Sequence, residues 1–150
     1  MLRTKFFLAL AAVALLSASA PWHDLPAEYS RDPILQGPEA AADKTGAPAA
    51  TIAGIRYAES SGRPEPRHPL ATVKGAYGLD KRWHAYWARL YGPYDELDPY
   101  DAAYLTARLY MDHLRDLGNK DRAICAHLLG PSGARARLAP EYLARVRAAR

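Results

Sequence analysis

A single cysteine, Cys125, means that no disulfide can close within this chain of 150 residues, and the core alone must hold the fold. Cys125 lies in the apolar stretch Ala123-Ile124-Cys125-Ala126 and is expected to be a small buried hydrophobe. A nucleophilic thiol would need a base, and His127, two residues on, points to another helix face. His68, His84, His113 and His127 form no pair at i, i+4, and there is no CxxC or HExxH, so no metal site is expected. No glycine-rich phosphate loop is present either, and no cofactor is expected. Charge is nearly balanced, with 20 Lys+Arg against 16 Asp+Glu, which argues against a nucleic-acid partner. No internal repeat stands out. The longest uninterrupted apolar run, Phe6 to Leu16, is eleven residues, and a spanning helix needs about 20.

That run has a different explanation. Arg3 and Lys5 precede it, and Ala18, Ser19 and Ala20 follow as an A-x-A-like cleavage site. Residues 1–20 are read as a signal peptide, which places the protein in the periplasm or outside the cell, with no integral membrane span after cleavage. Pro21 would follow the cut, so the bond cleaved can lie elsewhere. No cysteine near the site offers a lipid anchor. Without Arg3 and Lys5 the balance is 18 basic against 16 acidic residues.

Residues 21–47 read as a proline-rich, flexible linker. Prolines recur at 21, 26, 33 and 38, and again at 48, with no apolar period between them. Trp22, Tyr29, Ile34 and Leu35 are the side chains there that could dock on the domain.

Residues 48–150 read as one compact, all-α domain with at most one small hairpin. A first helix is expected from about Pro48 to Ser60, with Ile52, Ile55 and Glu59 on one face and Gly62 and Pro64 ending it. A loop follows, with a hairpin near residues 72–78. A second helix, about Lys81 to Tyr91, carries Trp83, Tyr86, Trp87 and Tyr91, which suit core packing or a platform for sugar rings. Asp98 and Pro99 begin a third helix, with Ala102, Leu105, Leu109, Leu114 and Leu117 as its core stripe and Gly118 as its end. A fourth covers about Lys120 to Leu129 and stops at Gly130-Pro131; a fifth covers about Pro140 to Arg150, with a solvated basic face at Arg145, Arg147 and Arg150. Asp95, Asp98 and Asp101 are explained by capping.

Glu59 is out of place for an ordinary glutamate. It sits in the last turn of a helix, where the macrodipole disfavours a carboxylate, and in line with two core isoleucines. Both features favour the protonated form that a general acid needs.

Three segments stand out: Ala58-Glu59-Ser60-Ser61-Gly62, then Gly75-Ala76-Tyr77-Gly78-Leu79, then Ala126-His127-Leu128-Leu129-Gly130-Pro131. Their order and spacing resemble the lysozyme-like superfamily, in particular the soluble lytic transglycosylase domain and goose-type lysozyme. The resemblance covers roughly residues 50–147. It implies a helix ending in Glu-Ser, with Glu59 as the catalytic acid/base. It also implies a sugar groove holding Ser60, Tyr77, Gly78, Leu79, Asp80 and His127 as substrate-binding residues. The partner implied is the glycan strand of peptidoglycan, and nothing sets an oligomeric state. Two features depart from the family's pattern. Asp80-Lys81 stands where Met-Gln is usual, unless Asp80-Lys81-Arg82-Trp83-His84 aligns instead with a similar stretch of goose-type lysozymes. His127-Leu128 stands where Tyr-Asn is usual, so His127 either supplies a hydrogen bond or caps a helix face.

The resemblance implies a lytic transglycosylase, in which one carboxyl group both protonates the leaving oxygen and deprotonates the muramoyl C6 hydroxyl. With Asp80 as a second carboxylate, an inverting lysozyme-type hydrolysis is the alternative. A module that binds peptidoglycan without cutting it, and an unrelated helical interaction protein, are the other readings.

Overall fold

A computed structural model describes residues 33–149. Six helices and one two-strand hairpin follow in the order α1 (Pro33–Thr45), α2 (Ala49–Ser60), β1 (Val73–Lys74), β2 (Leu79–Asp80), α3 (His84–Tyr91), α4 (Pro99–Leu117), α5 (Lys120–Ala136) and α6 (Pro140–Ala148). A short 3-10 turn, Lys81–Trp83, leads into α3. The chain is mainly helical, as its periodicity predicts. The expected signal peptide, Trp22 and Tyr29 lie outside the described residues.

Helix α4 is the centre. Asp98 Oδ1 accepts from the backbone N–H groups of Tyr100 and Asp101, both at 2.9 Å, and Pro99 occupies the first helical position. Gly118, at φ 64°, ends the helix. Ala102, Leu105 and Leu109 are buried as expected, but so are Ala103, Thr106, Ala107 and Tyr110, because neighbours cover α4 on more than one side. Full burial of a side chain such as Leu105 stabilises by about 1.5–3 kcal/mol.

Helix α1 corrects the expectation of a flexible linker for residues 33–45, and residues 21–32 lie outside the described residues. Residues 33–45 are helical and pack on α4. Gly37 lies against the Pro99 carbonyl and Ala103, and Ala40 and Ala41 are buried. The close approach at Gly37 brings the two helices together without a bulky side chain at that point.

Helix α5 bears out the expected stop at Gly130-Pro131 and continues beyond it. Its helical dihedrals do break at Gly130 (φ 69°, ψ 164°), but Pro131 starts a further helical stretch to Ala136. Arg122 Nη1 donates to the carbonyls of Ala134 and Arg135 and holds this end in place. Cys125 is fully buried, and its Sγ accepts from the Ala139 N–H at 3.3 Å.

Helices α2 and α6 run antiparallel. Gly54 meets the Val146 backbone so closely that a Cβ there would collide with the carbonyl. This close pass aligns the end of α2 with the start of α6, which carries Tyr142. On the outer face of α6, Arg145 lies over the Tyr142 ring and Arg147 pairs with Asp121 at 2.6 Å, so these arginines are not merely solvated.

Candidate active site

Glu59 is half-buried in the last turn of α2 and lines a cleft of about 1100 Å³. Ser61 closes α2 in the left-handed region (φ 52°), its N–H donating to the Tyr57 carbonyl. The Tyr142 hydroxyl donates to Glu59 Oε1 at 2.7 Å. Burial, then the Glu59 charge, push the Tyr142 phenol well above its ordinary range, so it remains a donor at any working pH. Oε1 is thereby engaged, and Oε2 lies against Gly78.

The turn between β1 and β2 forms the backing of Glu59. Gly75 (φ 69°) and Gly78 (φ 63°) both adopt the left-handed region. A Cβ on Gly78 would stand 2.5 Å from Glu59 Oε2. Two histidines hold this turn by its carbonyls: His68 Nε2–H donates to Gly75 O at 2.8 Å, and His127 Nε2–H to Tyr77 O at 2.7 Å. Both histidines also line the cleft.

Of the residues expected to bind substrate, Gly78, Asp80 and His127 line the cleft together with Glu59. Ser60, Tyr77 and Leu79 do not, which corrects that expectation. Ser60 is buried one helical step round from Glu59, its hydroxyl donating to the Arg56 carbonyl at 2.7 Å and accepting from the Gly62 N–H. Leu79 alternates with Asp80 along β2 and points into the core. The Tyr77 ring is likewise buried, and it is the Tyr77 carbonyl, held by His127, that serves the site. Burial pushes the Tyr77 phenol up, with Arg56 opposing.

The remaining carboxylates of the cleft have partners. Asp80 takes a two-pronged hydrogen bond from Arg82 and caps the 3-10 turn through the Arg82 N–H. That guanidinium holds the Asp80 carboxyl below its ordinary range. Asp112 accepts from the Tyr91 hydroxyl and pairs with Arg115, which also reaches Asp116. Glu59 has no cationic partner among the described residues. His113, also in the wall, is pushed down by burial and by nearby His127, against the opposing pull of Asp112 and Asp116.

Trp83, just before α3, and Tyr86, Trp87 and Tyr91 of α3 all line the cleft. Trp87 and Tyr91 pack partly against the core, as one expectation had it. Trp83 and Tyr86 are 53% and 47% exposed and stand in the cleft wall.

Tyr142, His68 and His113 were not singled out in the sequence. Tyr142 carried one usable signal: it shares the buried face of α6 with Val146, and a buried tyrosine hydroxyl needs a partner.

Among the described residues, no group of three or more His, Cys, Asp or Glu is placed to hold a metal ion, and no helix is long and apolar enough to cross a membrane. No family model, curated protein or solved structure matches the chain.

Proposed function

We propose that this protein is an exported peptidoglycan lytic transglycosylase with Glu59 as its general acid/base. The observation that carries the reading is the state of Glu59. It is the cleft carboxylate with no cationic partner among the described residues, and a tyrosine hydroxyl and a glycine turn orient it. The resemblance of the Glu59, Gly75–Leu79 and Ala126–Pro131 segments to the lysozyme-like superfamily supplies the substrate class.

In this mechanism the protonated Glu59 gives its proton to the glycosidic oxygen between N-acetylmuramic acid and N-acetylglucosamine as that bond breaks. The carboxylate then takes the proton of the muramoyl C6 hydroxyl. The C6 oxygen closes on C1 and forms the 1,6-anhydro ring. The nucleophile belongs to the substrate, so no second carboxylate is required. Tyr142 stabilises the carboxylate stage by donating to Oε1. The tie between Asp80 and Arg82 favours this route over inverting hydrolysis, because a general base for water must be free to accept a proton.

Digestion of purified sacculi, with soluble products identified by mass, tests the reading. Anhydro-muropeptides are expected from the wild type and from Asp80→Asn. Glu59→Gln should release them at least about a hundredfold more slowly. Products with reducing ends, lost in Asp80→Asn, would establish the hydrolase instead. Binding to sacculi without any release would leave a binding module.

A further inference from the structure

Helix α3 contributes no fully buried residue to the fold. Hydrogen bonds tie it at both ends: the His84 ring donates to buried Glu96 at 2.7 Å, and the Tyr91 hydroxyl donates to Asp112. Trp83, in the 3-10 turn just before α3, and Tyr86 and Leu90 within it recur at i, i+3 and i+7, all half-exposed and all lining the cleft that holds Glu59. An indole left half in water forgoes the stabilisation that its burial would bring, so a cluster of this kind marks a contact surface.

The rings are not equivalent. Arg89 lies over the Tyr86 ring at 5.7 Å and occupies one of its faces. Tyr86 and Trp83 meet nearly edge-on, with centroids 6.2 Å apart and planes at 72°. That contact covers at most one face of the indole. Trp83 is thus the most exposed of the cleft aromatics, with Tyr86 bracing it.

We infer that Trp83 is a stacking platform for a pyranose ring of the β-gluco configuration, forming a glycan subsite on the wall of the cleft apart from Glu59. This rests on the reading of the cleft as a glycan site. A ring of that configuration carries only axial C–H groups on its faces, and their slight positive charge matches the negative face of an indole. The subsite adds grip to a strand lying along α3.

Calorimetric titration of the full chain carrying E59Q with a β-1,4-linked N-acetylglucosamine tetramer tests this without cleavage. E59Q should bind, and E59Q/W83A should bind about tenfold more weakly, the equivalent of one aromatic contact. E59Q/W83F should fall between them. Saturation should also shift the tryptophan emission of E59Q to the blue, and the shift should shrink in E59Q/W83F, which keeps Trp87 in the cleft. This provides a second readout if W83A is poorly folded. Equal affinities with and without Trp83, or no binding by E59Q, would overturn the proposal. Trp83-dependent binding by a protein that releases nothing from sacculi would uphold the subsite and remove the enzymatic reading.

Discussion

The Tyr142 hydroxyl reaches Glu59 Oε1 at 2.7 Å across 83 residues of sequence. Each group needs the other. A phenol buried this deeply requires an acceptor, and a carboxylate without a cation requires a donor. The close pass of α2 and α6 at Gly54 and Val146 sets the pair in register.

Tyr142→Phe keeps the ring and removes the donor. A hydrogen bond to a charged group contributes about 1.5–3 kcal/mol, so the rate of muropeptide release should fall about ten- to hundredfold. Thermal melting should show the fold retained. An unchanged rate would mean that this bond has no part in the reaction.

Gly78→Ala tests the backing of Glu59. The new Cβ meets Oε2 and the residue must hold a left-handed φ of 63°. Backbone strain of this kind costs about 1–3 kcal/mol. The melting temperature should drop, and the rate should drop further than stability explains, because the carboxyl group must move. The two effects separate when activity is measured well below the melting point.

His127 acts through the Tyr77 carbonyl. His127→Phe leaves that oxygen without its donor, at a cost of about 1–3 kcal/mol, and loosens the turn behind Glu59. Release of muropeptides should slow about tenfold. His127→Gln retains an N–H of similar reach and should recover most of the loss. Equal defects in the two variants would refute a role through this hydrogen bond.

His113 gives the protein a pH-dependent stability. Its folded-state pKa lies below the ordinary 6.5, with burial the largest cause. Between the folded value and 6.5 the unfolded chain binds the additional proton. Stability must therefore fall as pH drops through this window, with the full penalty below the folded value. Melting temperatures measured from pH 7 to pH 5 should decline in the wild type, and the decline should be shallower in His113→Asn. Parallel curves would show that the slope arises elsewhere.

The helices were legible wherever local signals repeat: Asp98-Pro99 and Gly118 around α4, Gly62 and Pro64 after α2, and Gly130 within α5. Helix α1 was not legible, since Gly37 meets α4 by close approach and Ala40 and Ala41 are buried, and small residues leave no periodic imprint. For the site, Glu59 stood out because a carboxylate at a helix end on an apolar face runs against local preference. Ser60, Tyr77 and Leu79 were misassigned to the groove because adjacency in sequence does not decide which face a side chain takes.

Local order along the chain was sufficient to define a helical domain with one short hairpin and to single out Glu59, because caps, breakers and apolar period act over a few residues. Only the tertiary structure could bring Tyr142 onto Glu59, seat two histidines on the carbonyls of one turn and leave Trp83 facing the cleft. Those relationships join residues distant in sequence, and they depend on how closely helices pass, which side-chain volume and backbone approach decide in three dimensions.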